Sequence, residues 1–119
     1  MSQPVTLDEL WKRIDEYGDK AYLVTINAEA TPHVVTVVIG RSGHDITVGA
    51  GKGTRSNLAA NPKLTIMWAP TIDPAYCLLV DGVLAGGLDD EDHITIEATS
   101  AMLHRVAGAD GNGPRCIPV

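Results

Sequence analysis

The chain has 119 residues, 45% of them apolar, and a formal net charge of −6. That length suits one domain with a core of its own, and the acidic balance argues against nucleic acid as the main partner, a role that wants a basic face. Cys77 and Cys116 lack any paired spacing for zinc or redox work, and neither a secretory leader nor a membrane-length apolar run is present, so a soluble cytoplasmic domain over 1–119 is expected.

The N-terminal segment, 1–20, reads as a helix. Thr6-Leu7-Asp8-Glu9 has the pattern of a capping box, with Val5 and Leu10 at the staple positions. Leu7, Leu10, Trp11, Ile14 and Tyr17 recur at helical spacing on one face, and Gly18 supplies a stop. The pattern then changes to strands. AYLVTIN (21–27) and HVVTVVIG (33–40) are rich in β-branched residues and are joined by the turn AEATP. RSGHD turns the chain into ITVG (46–49). Links this short permit antiparallel neighbours, not parallel crossovers.

GAGKGTRSNLAANP (49–62) gives a glycine-rich loop and a short helix over about 55–60, ended by Asn61-Pro62. KLTIMW (63–68) alternates, with Leu64, Ile66 and Trp68 on one side. YCLLVDGVLAG (76–86) reads as one long strand bent at Gly82, in preference to a hairpin at Asp81-Gly82 whose arms would be very short. GGLDDED is a polar turn. Its acids, Asp89 to Asp92, lack the ligand spacing of a calcium loop. HITIEATSAMLHR (93–105) is the last strand, and 106–119 reads as an irregular tail. About six strands with tight turns and one or two short helices describe a mainly β protein whose antiparallel sheet closes into a small barrel.

The glycine-rich loop invites comparison with nucleotide-kinase loops, and the comparison fails. Counting back from Gly51-Lys52, the first glycine of that motif belongs at the position of Ile46, and Gly53 stands where a metal-binding hydroxyl belongs. The fold around such loops also needs repeated parallel crossovers, for which this chain has no room. A phosphate site survives the rejection. No acid lies between Asp45 and Asp73, while Lys52, Arg55 and Lys63 all do. A helix start adds free amides and the positive end of a dipole, and Thr54, Ser56 and Asn57 add side-chain hydrogen-bonding groups. The plainer alternative is an ordinary capped helix whose cations are only solvated.

In order and spacing, the segments with Thr-Pro-His-Val-Val (31–35), Thr-Arg-Ser-Asn-Leu to Asn-Pro (54–62) and Leu-His-Arg (103–105) make the chain resemble the FMN-binding split-barrel family. That family is related to pyridoxamine 5′-phosphate oxidase and includes actinobacterial enzymes that use the deazaflavin F420. The resemblance covers residues 21–105. It implies a six-stranded Greek-key split barrel that forms a homodimer, with FMN or coenzyme F420 in clefts between the subunits and a small-molecule substrate. It assigns the cofactor phosphate to Lys52, Gly53, Thr54, Arg55, Ser56 and Asn57, and the ring to the strand over 34–38, with Val35, Thr36 and Val37 at its centre. Many members carry Ser-Arg-Lys where this chain has Thr54-Arg55-Ser56, its lysine lying earlier at Lys52.

In such a site the cofactor transfers hydride, and the protein positions the ring and the substrate. No triad or paired carboxylates are expected, and no catalytic residue is assigned. With no Phe in the chain, ring contacts are expected from aliphatic strands, Trp68 and Tyr76. His33 and His104 are either proton donors near the ring or hydrogen-bonded strand ends. His44 and His93 read as solvated, and the four histidines lack metal-ligand spacing. Cys77 reads as a small buried hydrophobe. The acidic tail of F420 would need a basic path out of the cleft, for which Arg41, Lys63 and Arg105 are candidates. The rival reading is a binding or carrier protein for a flavin, F420 or haem; a purely structural barrel is the third.

Overall fold

The computed structural model describes residues 2–70 and 75–105. In chain order its elements are β1 (Ser2–Val5), α1 (Leu10–Tyr17), β2 (Lys20–Ile26), β3 (Pro32–Val38), β4 (Gly40–Ser42), β5 (Asp45–Val48), α2 (Lys52–Ala60), β6 (Lys63–Trp68), β7 (Tyr76–Ala85) and β8 (Ile94–Arg105). The strands form one antiparallel sheet in the order β3-β2-β6-β7-β8-β5-β4. β5 occupies the first part of β8, and β1 pairs with its end, Ser2 opposite His104 and Val5 opposite Ala101.

β3 and β4 stand at opposite ends of that order, yet only Ile39 separates them along the chain. Two steps of the backbone reach about 7 Å, so the sheet must curl enough to bring the end of β3 to the start of β4. The result is a half-barrel that leaves few open edges. Strand alternation fills its interior. Leu23, Ile46, Val48, Ile66, Trp68, Leu78, Val80, Ile94 and Ile96 are each at most 1% exposed. Trp68 also donates its indole N–H to the Gly18 carbonyl at 3.0 Å, tying β6 to the end of α1.

The expected strands are present as β2, β3, β5, β6, β7 and β8, and β1 and β4 are additional, making eight in one sheet among the described residues. The N-terminal helix is corrected. Val5 is drawn into the sheet, so residues 6–9 must turn before a helix can begin, and the Glu9 N–H donates to the Thr6 carbonyl at 3.0 Å. Helix α1 starts at Leu10 with no side-chain cap, so the capping box does not form. Its stop is as expected: Gly18 has φ +98° and donates to the Ile14 carbonyl.

The irregularity expected at Gly82 is present, with the bulge on β8 opposite β7. The register of β7 on β8 slips between Asp81, opposite Ser100, and Gly82, opposite Ala98, leaving Thr99 as the extra residue. A Cβ on Gly82 would sit 2.7 Å from the Glu97 carbonyl oxygen, so only glycine permits this approach. The 106–119 tail, Cys116 included, lies outside the described residues.

Candidate functional site

Helix α2 begins earlier than its composition suggests, at Lys52, and this places Lys52, Gly53 and Thr54 in its first turn. Gly51 is the N-cap and offers no side chain, and the first turn contains no acid. The Arg55 N–H closes that turn on the Gly51 carbonyl at 3.0 Å. The amides of Lys52, Gly53 and Thr54 therefore have no acceptor inside the helix and lie at the positive end of its dipole. Thr54 and Leu58, four residues apart, are the buried face, and α2 packs on β2. Asn57 adds a specific anchor by donating Nδ2–H to Thr25 Oγ1 at 3.1 Å, where Thr25 is fully enclosed. Lys52, Gly53 and Ser56 remain exposed.

His33, the residue after Pro32 at the start of β3, lies beside this turn. A Cβ on Gly53 would be 3.9 Å from His33 Cε1. Arg55 is half-buried and points elsewhere than into open solvent. Its Nε donates to the Ala50 carbonyl at 2.9 Å and its Nη1 to the Leu88 carbonyl at 2.8 Å. Its Nη2 is buried and has no hydrogen-bond partner among the described residues.

The Leu88 contact brings in a segment 33 residues along the chain. The acid-free interval around Lys52 and Arg55 is local to the chain, but in space the acid-rich β7–β8 turn lies against the loop through main-chain carbonyls. A Cβ on Gly49 would be 3.9 Å from the Asp92 carbonyl oxygen. Within the turn, Asp90 Oδ1 accepts the N–H groups of Asp92 at 2.8 Å and His93 at 3.3 Å, and Oδ2 lies 3.7 Å from His93 Nε2. Those two amides, with smaller contributions from the charges of His93 and Arg55, hold the Asp90 carboxyl below the usual carboxylate range. A lowered folded-state value stabilises the turn above the ordinary carboxylate pKa, and the contribution fades as pH falls through the folded value.

The ring-facing expectations divide. In β3, Val35 is half-buried, Thr36 exposed and Val37 part of the core. β3 ends the strand order, so its backbone has hydrogen-bonding groups on the side away from β2. Trp68 is corrected from ring contact to core residue, because the alternation of β6 turns it inward with Leu64 and Ile66. Tyr76 is half-buried; its carbonyl accepts the Tyr17 hydroxyl at 3.0 Å, and Arg105 lies over its ring at 6.0 Å. His104 is exposed, with Nδ1 3.2 Å from Ser2 Oγ. The three candidates for the basic path lie apart in one chain. Lys63 pairs opposite Val83 and Arg105 opposite Tyr76, near opposite ends of β7, while Arg41 stacks on Trp11 at 4.6 Å.

On the outer face of the sheet an open groove of about 480 Å³ is lined by Val24, Ile26, Lys63, Asp81, Val83 and Ser100, among others. Asp81 is its polar centre, accepting Thr65 Oγ1–H at 2.7 Å. Tyr22, Val34 and Val38, on the neighbouring β2–β3 hairpin, are 40%, 56% and 60% exposed. No helix among the described residues is long and apolar enough to cross a membrane.

The first turn of α2 fits a phosphate. It combines amides with no acceptor inside the helix, no acid and an exposed lysine, with a buried guanidinium nitrogen nearby that has no hydrogen-bond partner among the described residues.

No family model matches the chain. It is 34% identical over 104 residues to the uncharacterized protein Mb0449c of Mycobacterium bovis, a match covering 76% of this chain and 73% of that protein. The chain belongs to the family of Mb0449c. Its fold is a split barrel. An FMN-binding protein from Syntrophomonas wolfei matches with a TM-score of 0.67 at 12% identity, over 84% of this split barrel and 86% of that chain. An F420 reductase matches at 0.57 and 18% identity, over 69% and 87%. HutZ, the heme storage protein from Vibrio cholerae, matches at 0.61 and 15%, over 85% and 96%. At these identities the likeness is one of fold.

Proposed function

We propose that this split barrel binds a phosphate-bearing flavin or deazaflavin, FMN or coenzyme F420, and uses it as an oxidoreductase on a small organic substrate. The observation that carries the reading is the uncapped, acid-free first turn of α2 with Lys52 exposed on it. When bound, such a cofactor supplies hydride transfer from its central ring. The amides of Gly53 and Thr54 and the side chains of Lys52 and Ser56 hold the phosphate, with charge-assisted hydrogen bonds at the helix start. The backbone N–H and C=O of Thr36, on the free side of β3, orient the heteroatom-rich edge of the ring, while those of Val35 and Val37 point to β2. His33 lies at the rim of the site, beside Gly53.

The site is completed by a second copy of the chain. Tyr22, Val34 and Val38 present apolar surface that a homodimer removes from water. Titrating the purified protein with FMN and with F420 separately, followed by fluorescence quenching, is expected to show saturable binding of at least one. Sedimentation of the bound form is expected at twice the chain mass. Binding of neither removes the reading, and a bound monomer removes the shared site. Saturable binding with no hydride transfer to a panel of enones and quinones supports the second reading, a carrier, which the likeness to HutZ favours.

A further inference from the structure

The β7–β8 turn carries Asp89, Asp90, Glu91 and Asp92, and hydride transfer as proposed uses none of them. Their position is nevertheless fixed from the phosphate loop. Arg55 donates to the carbonyls of Ala50, in the loop that enters α2, and Leu88, in the turn, at 2.9 and 2.8 Å. Those acceptors belong to segments far apart in the chain, so the guanidinium is a staple between them. A planar fork can satisfy two divergent carbonyls at once; an ammonium on a flexible stem cannot reproduce that geometry. Leu88 is half-buried against the core, and Asp92 presents its carbonyl to Gly49. Asp90 spends its carboxylate inside the turn, on the amides of Asp92 and His93, while Asp89, Glu91 and Asp92 stay exposed.

The geometry points to Arg55 as a positioning residue that holds the acidic β7–β8 turn against the phosphate loop, and to that turn as a charge filter selecting ligands whose negative charge is confined to one end. The filter rests on the cofactor reading above; the staple does not. Screening at physiological salt acts over about 8 Å, so carboxylates on a segment touching the loop are felt by any second anionic group passing it. FMN carries its charge at the phosphate alone, whereas F420 adds an acidic tail. The filter therefore favours FMN.

Hydrogen–deuterium exchange on the cofactor-free full chain tests the staple. Exchange across 86–93 is expected to rise about tenfold in Arg55→Ala and also in Arg55→Lys, because the charge alone does not bridge two carbonyls. A turn in Arg55→Lys as protected as in the unaltered protein overturns the staple, and that variant decides the matter if Arg55→Ala fails to fold. The filter is tested by replacing Asp89, Glu91 and Asp92 with Asn, Gln and Asn and leaving Asp90, whose carboxylate builds the turn. Affinity for F420 is expected to rise about three- to tenfold more than affinity for FMN, and the difference to vanish in 1 M salt. An unchanged ratio of the two affinities overturns the filter. Failure of both proteins to bind either probe removes the cofactor reading and the filter with it, while the exchange result still decides the staple.

Discussion

Replacing Trp68 with alanine is expected to lower the stability of the fold by about 3–5 kcal/mol, the range for deleting a buried aromatic side chain. Trp68 is 1% exposed, stands opposite Leu78 on β7, and is among the largest fully buried side chains described. Its neighbours are strand residues locked in a curled sheet, which cannot collapse far into the space left behind. The indole N–H adds a second contribution, because the Gly18 carbonyl that accepts it at 3.0 Å marks the end of α1. Trp68→Phe separates the two effects: it keeps most of the volume and removes the donor, and an expected loss of about 1–2 kcal/mol measures the hydrogen bond with its unpaired acceptor. Since domains of this size have total stabilities of about 5–15 kcal/mol, the alanine variant should be partly unfolded at moderate urea, read by circular dichroism. In the folded fraction FMN affinity should be unchanged. A stability loss under about 1 kcal/mol together with lost FMN binding would return Trp68 to the cofactor ring.

The same residue shows what was legible in the sequence. Period-two alternation in KLTIMW identified the inward set Leu64, Ile66 and Trp68 correctly, yet the scarcity of aromatics in the chain suggested a ring contact that alternation itself forbids. Gly82 was readable as an irregularity, because a lone glycine in an apolar strand marks a close backbone approach, here to Glu97. Strand β1 was not. SQPV has no alternation and contains a proline, and it is a strand only because β8, far along the chain, supplies its partner. Once Val5 joins the sheet, the helix start moves from Thr6 to Leu10, so one missed long-range pairing produced two local errors. Arg55 is the functional counterpart. Its charge and its place in the cation-rich interval were plain, but its partners are main-chain carbonyls, which carry no sequence signal. The acid-free interval was real along the chain but does not stand alone in space, because the acid-rich β7–β8 turn packs against it through the Leu88 carbonyl, 33 residues from Arg55.

The variant that separates binding from folding most sharply is Gly53→Asp. Gly53 is exposed in the first turn of α2, and a Cβ there meets only His33 Cε1, at an ordinary 3.9 Å. Removing a glycine from a helix gains about 0.5–1 kcal/mol, and a carboxylate in the first turn gains about 0.3–1 kcal/mol from the dipole and the free amides. The fold should therefore become slightly more stable, with the urea midpoint rising. The added carboxylate sits on the same donors that the phosphate requires and repels it at contact distance. FMN affinity is expected to fall at least about 100-fold, equivalent to roughly 2.7 kcal/mol. Gly53→Asn has the same shape without the charge, so the difference between the two variants is the electrostatic part, and any loss shared by both measures how closely the phosphate approaches the Gly53 backbone. Calorimetry on both, with FMN as the probe, reads the two contributions directly. An Asp variant that is more stable and binds FMN as tightly as the unaltered protein places the phosphate elsewhere, and leaves this turn as no more than a helix start anchored on Thr25 through Asn57.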